Sequence, residues 1–194
     1  PEPGLEKDPE GLRAFVRQNR PKLLADALSL AQVLRQCGDW DPARDTKLAC
    51  LRELVSTEHS GEKVLVFTQF ADTVRYLETQ LRAKGLKQAA AVSGDSYDPA
   101  AMAWRFSPES NNKRANVKPE DELRVLVATD VLSEGQNLQD CAIVVNFDLP
   151  WAIIRLIQRV GRVDRIGQKS ENIVCYSFLP ADGVTEHDLA DAAQ

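Results

Sequence analysis

The hydrophobic and polar positions along the chain change their period near residue 63. Before it, apolar side chains recur at helical spacing through residues 10–36, and Pro21 interrupts the pattern. Two helices, or one kinked helix, are therefore predicted there. A further helix after the turn-prone stretch GDWDPARD is predicted by apolar residues at the same spacing, which are Leu48, Leu51, Leu54 and Val55.

Beyond residue 63, short apolar runs alternate with amphipathic helices. The runs predict buried strands at residues 63–68, 89–92, 125–129, 143–147 and 173–179. Continuously apolar strands separated by such helices indicate a parallel sheet covered on both faces, with ligands beyond the carboxyl ends of the strands. The predicted fold class is α/β: a mostly parallel sheet with helices on both faces, plus an N-terminal helical extension.

The same patterns predict how the chain is organised. Residues 1–44 are expected to form a helical extension or linker, residues 45–185 the core domain, and residues 186–194 a tail. One interval within the core domain lacks this alternation of apolar runs and amphipathic helices. Residues 107–122 (SPESNNKRANVKPEDE) are rich in Asn, Pro, Lys and Glu. Loops of this kind are usually functional or disordered, so we expect a mobile surface loop.

Composition narrows the class of protein. The 194 residues carry 24 basic and 29 acidic side chains, a net charge of −5. This charge excludes a protein whose whole surface binds nucleic acid. Any DNA site must be local. No apolar run reaches the roughly 18 residues of a membrane helix, so an intracellular protein without a membrane partner is expected. The four cysteines form no C-x-x-C pair; no metal site is predicted, and reduced core thiols are expected.

The most specific chemistry lies at residues 158–168 (QRVGRVDRIGQ), on an amphipathic helix that follows Pro150. The face expected to pack on the sheet comprises Ile153, Leu156, Ile157 and Val160. The arginines expected to point outward together are Arg155, Arg159 and Arg162. If the helix continues, Gln158, Arg162 and Arg165 share one edge as a row of planar donors suited to a phosphate chain. The alternative is a solvated basic helix face.

These residues resemble a known family. The segment 158–168 is similar to motif six of the SWI/SNF-type ATPases within helicase superfamily two. Residues 125–139 (VLVATDVLSEGQNLQ) resemble motif five, and residues 144–151 (VVNFDLPW) resemble the strand and D-x-P-W segment that follow it. Residues 64–70 (VLVFTQF) resemble motif four.

Residues 92–95 (VSGD), with the Arg-Phe pair at 105–106, resemble the block after motif four. Together the motifs resemble the C-terminal RecA-like (helicase C) domain of such an ATPase over about residues 45–180. The sequences RVGRVDRIGQ and TDVLSEG most resemble those of bacterial members of the family that are related to the polymerase-recycling ATPase.

The resemblance implies a nucleotide site. Arg162 and Arg165 match the two arginines that reach the γ-phosphate of ATP, where guanidinium groups stabilise charge developing on the transferred phosphoryl group. Gln158 matches the polar residue that leads motif six. Gly135 and Asn137 match positions beside the ribose, because a glycine admits close approach and an asparagine bonds a hydroxyl.

The resemblance also implies contacts to the backbone of double-stranded DNA. Thr68 and Gln69 match such contacts after motif four, as do Gly94 and Thr129 after the next two strands. Neutral donors fix a protein on a duplex without reading its sequence. Each residue also has a purely structural interpretation, as a turn or surface residue.

Half of an ATP site is missing from these residues. They contain no G-x-x-x-x-G-K-[ST] phosphate loop and no D-E-x-H-like segment, so an upstream RecA-like domain is expected to hold most of the ATP and Mg²⁺. The chain alone is expected to be inactive. The expected cargo is RNA polymerase or another DNA-bound complex, in the nucleoid of the bacterial cytoplasm. Two alternatives stay open: a non-hydrolysing DNA- or partner-binding module, and half of an RNA helicase.

Overall fold

The computed structural model describes residues 9–38, 40–133 and 136–179. The chain divides into two units, Pro1–Asp41 and Pro42–Gln194. In the first unit a single helix, α1 (Pro9–Cys37), continues through Pro21, so the predicted extension is one helix. The predicted boundaries of the extension and core domain stay predictions, and the predicted tail lies outside the described residues.

The second unit contains a five-stranded sheet in the order β2-β3-β1-β4-β5, and every neighbouring pair of strands is parallel. The predicted α/β class with a parallel sheet is confirmed. In chain order its main elements are α2 (Thr46–Glu53), β1 (Val64–Phe67), α3 (Ala71–Ala83), β2 (Ala89–Val92), α4 (Pro99–Phe106), β3 (Val125–Ala128), β4 (Ile143–Asn146), α5 (Ile153–Val160) and β5 (Val174–Ser177).

Helices cover both faces of the sheet because the central strands are apolar on both sides. Alternate residues of β1 enter different clusters: Val64 and Val66 pack with side chains of α2 and α3, whereas Leu65 and Phe67 pack with α4. Helices α2 and α4 each begin with an aspartate cap. For α2, the Asp45 carboxylate accepts a 3.0 Å hydrogen bond from the Leu48 amide.

The residues that follow the strands are held by the sheet itself. The amides of Thr68, Thr129 and Phe147 donate to carbonyls of neighbouring strands at 3.0, 3.0 and 2.8 Å. The ladder therefore extends one residue past β1, β3 and β4, which fixes the start of each loop at the carboxyl edge of the sheet. The parts of motifs four and five that follow β1 and β3 lie at this edge, as the strand pattern predicts.

Residues 107–122, which we call the polar segment, make specific contacts with the rest of the domain. Glu122 accepts hydrogen bonds from Lys63, at 2.5 Å, and from Arg114. Arg114 also donates to the Val117 carbonyl at 2.7 Å, and the Val117 side chain is buried. The C-terminal part of the polar segment is thus anchored beside β1; its mobility stays a prediction.

The cysteines differ in their surroundings. Cys141 is buried, and burial raises the pKa of its thiol to about 12. Cys50 and Cys175 are exposed, so the expectation of core thiols is wrong for them. The side chain of Cys37 lies outside the description. Within the described residues no helix is long and apolar enough to cross a membrane.

Glu122 makes a pH-dependent contribution to stability. Burial acts to raise the pKa of its carboxyl, but hydrogen bonds from Lys63 and Arg114 outweigh burial and hold that pKa below the usual value. A group whose pKa is lowered by folding stabilises the folded state at neutral pH, and this stabilisation is lost as the pH falls through the folded-state pKa.

We therefore predict that Glu122→Gln lowers the free energy of unfolding by about 1 kcal/mol at pH 7. The difference from the wild type should begin to close below about pH 4.3, the ordinary glutamate pKa, and should vanish below the lowered folded-state value. Urea denaturation across this range measures it, with the exposed Glu120→Gln as the control. A difference that does not change with pH would contradict the prediction.

Candidate functional site

The packing of α5 differs in part from the prediction, although Leu156 and Val160 are half-buried and Arg155 is exposed as expected. Ile153, Ile154 and Ile157 are 64%, 57% and 62% exposed, although the helical pattern predicts that Ile153 and Ile157 pack on the sheet. Trp151, just before the helix, is 80% exposed. The helix also ends at Val160, so Gln158, Arg162 and Arg165 do not share the edge of one helix.

Arg159 explains the difference, because it is only 2% exposed and is surrounded by acceptors. Its Nε donates to Asp130 Oδ1 at 2.8 Å, and Nη2 donates to the other oxygen of that carboxylate at 3.3 Å. Its Nη1 donates to Asn146 Oδ1 at 3.1 Å and to the Asp148 carbonyl at 3.3 Å. The guanidinium also lies over the ring of Phe67, 5.3 Å from the centroid. The prediction that Arg159 points outward is wrong, because these acceptors draw it into the core.

The other arginines of this region have separate positions. Arg155 is 55% exposed and donates to Asp130 at 3.2 Å. Arg162 lies in the turn after α5, where its amide donates to the Arg159 carbonyl at 3.1 Å. Arg165 is exposed and donates from Nε to the Gly161 carbonyl at 3.2 Å.

An open depression of about 430 Å³ at the carboxyl edge brings together three of the four predicted DNA-binding residues: Gln69, Gly94 and Thr129. Asp130 and Arg155 also line it. Gly94 is exposed, and a Cβ added there would meet nothing within 4 Å, so the fold itself does not require this glycine. The depression thus offers neutral groups, main chain and one exposed guanidinium to a ligand, alongside the carboxylates of Asp95 and Asp130.

Thr68, the fourth predicted DNA contact, is fully buried. Its hydroxyl donates to the Asp148 carboxylate, which also accepts from the Gln69 amide at 3.0 and 3.1 Å. The Gln69 side chain donates to the Leu149 carbonyl at 3.0 Å. A buried and occupied hydroxyl is not available to a phosphate, so the prediction of a direct contact is corrected: Thr68 supports Asp148, and Asp148 positions Gln69.

A second open cavity, of about 810 Å³, is lined by Asn137 and Arg165, two of the predicted nucleotide-site residues. Glu109, Ser110 and Asn112 of the polar segment form part of its wall. Gln158 is exposed on α5 and lines neither cavity. Gly135, also predicted beside the nucleotide, lies outside the described residues.

Three residues of the site, Arg155, Asp130 and Asp148, are not predicted as site residues from the sequence. Arg155 carries no signal beyond its place among other arginines. Asp148 carries one, because it is the aspartate of the D-x-P-W segment and directly follows a buried strand. Among the described residues, no group of three or more His, Cys, Asp or Glu side chains is arranged to hold a metal ion.

The domain is identified by its similarity to known proteins. The family model described as "Helicase conserved C-terminal domain" matches residues 46–167, which contain both cavities' predicted site residues. The chain belongs to this family. Over 128 residues it is 32% identical to the uncharacterized ATP-dependent helicase YqhH of Bacillus subtilis, covering 66% of this chain and 21% of that protein.

The helicase C-terminal domain therefore spans about a fifth of the length of this curated relative. The fold is also that of a solved structure, the C-terminal part of the Fun30 ATPase domain, with a TM-score of 0.60 and 16% identity. That match covers 100% of this chain and 61% of the other. At this identity the likeness shows the fold alone, which is the RecA-like helicase C fold expected from the motifs.

The buried arginine of this helicase C-terminal domain generates a stability prediction. Arg159→Met keeps much of the side-chain volume but leaves Asp130 and Asn146 without the guanidinium, so we expect a loss of about 2–4 kcal/mol in the free energy of unfolding. Arg155→Met removes the exposed partner of the same carboxylate and should cost less than about 1 kcal/mol. Urea denaturation of both variants compares them directly, and equal losses would refute the assigned difference.

Proposed function

We propose that this helicase C-terminal domain is the second motor domain of an ATP-dependent, double-stranded DNA translocase of the SWI/SNF type. An upstream RecA-like domain of the same polypeptide supplies the phosphate loop and most of the Mg²⁺ ligands. The observation that carries the proposal is the division of the predicted residues between two cavities, with α5 and its following turn adjoining both. Arg155 lines the depression, and Arg165 lines the larger cavity.

The larger cavity is the nucleotide side. ATP binding draws the two motor domains together and brings Arg162 and Arg165 against the γ-phosphate. Guanidinium groups placed there stabilise the charge that develops during phosphoryl transfer. Asn137 and Gly135 contact the ribose, and Gln158 links the nucleotide to the domain interface. The similarity to YqhH, an uncharacterized ATP-dependent helicase, supports hydrolysis in the whole protein.

The depression is the DNA side. Gln69, Gly94 and Thr129 offer amide, main-chain and hydroxyl donors, which hold a phosphate backbone without reading sequence. Arg155 adds a cationic donor that the motifs do not assign. Since Asp95 and Asp130 also line the depression, Arg155 does not make it strongly positive, and the motor can release DNA after each step.

The exposed apolar side chains of α5 support a partner for this domain. Trp151, Ile153, Ile154 and Ile157 lie within seven residues, and such clusters on soluble proteins usually mark interaction sites. The upstream motor domain is the partner that the missing phosphate loop requires. The motif sequences favour a SWI/SNF-type protein related to the bacterial polymerase-recycling ATPase. Its cargo would then be RNA polymerase or another DNA-bound complex.

Two other functions are separated by experiment. A non-hydrolysing module would keep DNA binding without turnover, and the complete set of Gln158, Arg162 and Arg165 argues against it. An RNA helicase half would be stimulated by RNA; the D-x-P-W segment and the RIGQ ending argue for duplex DNA. ATPase assays on the parent protein, which joins this chain to its upstream domain, distinguish all three when duplex DNA and duplex RNA are compared.

Arg162 is expected to contact the γ-phosphate of ATP during turnover. In the parent protein, Arg162→Lys should lower kcat at least ~10²-fold, because a lysine keeps the charge but loses the planar fork and its reach. The affinity for DNA without nucleotide should barely change. The isolated chain should show no steady-state ATPase. Near-normal turnover of the variant, or loss of nucleotide-free DNA binding in Arg162→Ala, would place this arginine elsewhere.

The second functional prediction concerns Arg155. Arg155→Ala should weaken binding of the parent protein to duplex DNA and reduce the slope of log K against log salt by about 1, because one phosphate contact is lost. Arg82→Ala is the matched control: Arg82 is 53% exposed, faces Glu78 at 3.8 Å, and bonds Ala89 at the opposite end of β2. A salt slope that is the same in both variants would remove Arg155 from the DNA site.

A further inference from the structure

The polar segment contacts the loop that carries a predicted nucleotide residue. Asn111 Nδ2 donates to the Asn137 carbonyl at 2.6 Å, and the Asn137 amide donates back to Asn111 Oδ1 at 3.3 Å. One side chain therefore satisfies both main-chain groups of Asn137. Asn111 Nδ2 also donates to the Ser107 carbonyl at 2.7 Å, which ties Asn137 to the start of the polar segment.

The side chain of Asn137 is oriented by the same segment. Its Nδ2 donates to the Ser110 carbonyl at 3.1 Å. Because a carbonyl can only accept, the amide must turn its nitrogen toward Ser110, and the amide oxygen takes the other position. An oriented amide oxygen is an acceptor for a hydroxyl group, such as one on a sugar ring.

A second set of bonds holds the polar segment against this loop. The Asp140 carboxylate accepts from the amides of Glu109 and Ser110 at 2.7 and 2.9 Å. The Asp140 amide in turn donates to the hydroxyl of Ser107, which is fully buried. Residues 107–111 and 137–140 are thus joined at both ends of their contact, beside the larger cavity. The composition of the polar segment gives no sign of these contacts.

We propose that the polar segment sets the sugar preference of the nucleotide site. Asn111 is the positioning residue: it fixes the main chain of Asn137, while the Ser110 carbonyl fixes the Asn137 amide so that its oxygen accepts from a ribose hydroxyl. Ordering this acceptor in advance lowers the entropy cost of binding a ribonucleotide and does nothing for a nucleotide without the hydroxyl. The inference rests on the proposed nucleotide site and adds a discriminating element to it.

The test compares the affinities of the parent protein for ATP, 2′-deoxyATP and 3′-deoxyATP, measured by calorimetry. The wild type should prefer ATP over one of the deoxy forms by about tenfold, which is the size of one well-placed hydrogen bond. In Asn111→Ala the preference should fall close to one, through weaker binding of ATP. Asn116→Ala is the matched control, since Asn116 is an exposed asparagine of the same segment, and it should keep the wild-type ratio.

Asn111→Asp provides a second variant should Asn111→Ala fail to fold. It keeps Oδ1 but turns an oxygen toward the carbonyls of Ser107 and Asn137, so the preference should again be lost. A ratio that stays at the wild-type value in either folded variant, or a wild type without any preference, would overturn the inference. A parent protein that binds ATP selectively but shows no DNA-stimulated turnover would refute the proposed function while leaving this inference supported.

Discussion

The buried guanidinium of Arg159 is the constraint on which the carboxyl edge of the sheet depends. A guanidinium stays charged and has five N–H donors, so it is stable inside a protein only where acceptors surround it. Those acceptors come from three places: Asp130 after β3, Asn146 at the end of β4, and the Asp148 carbonyl beyond it. Displacing any of them would leave charge or polar groups unpaired, so the loops that line the depression are held in one arrangement.

The same constraint decides which face of α5 meets solvent. When Arg159 turns inward, Ile153, Ile154 and Ile157 turn outward, because they lie on the other side of the helix. An isolated domain gains nothing from exposed isoleucines. A domain that closes against another body does, since the polar network keeps its loops rigid while the apolar face remains for contact.

Four strands could be predicted from the sequence because buried parallel strands are short, continuously apolar runs, and that property needs no partner to be recognised. The fifth, β5, forms where predicted but lies at the edge of the sheet and is mostly exposed, not buried. The buried face of α5 could not be predicted. Periodicity separates the two sides of the helix, but the acceptors for Arg159 come from the loop after β3, the end of β4 and the residue beyond it, outside the helix. The predicted DNA contact of Thr68 is wrong for a similar reason, since its hydroxyl donates to Asp148, which is distant in the sequence. The contacts of the polar segment could not be predicted either, because composition counts polar groups without their partners, and the partner of Asn111 is Asn137.

Asp130 lines the depression and also binds two arginines of α5, which bears on how a net acidic chain could serve as part of a motor. Its carboxylate binds exposed Arg155 on one side and buried Arg159 on the other, and the Arg159 carbonyl accepts from the Arg162 amide. A phosphate that reaches Arg155 competes with Asp130 for that guanidinium, which leaves Asp130 to Arg159 alone. The contacts therefore form a continuous physical path from the depression to the turn that carries Arg162. In the proposed motor, this path is where a phosphate at Arg155 would act on the turn that carries Arg162, and a coupling free energy between DNA binding and nucleotide binding measures that effect.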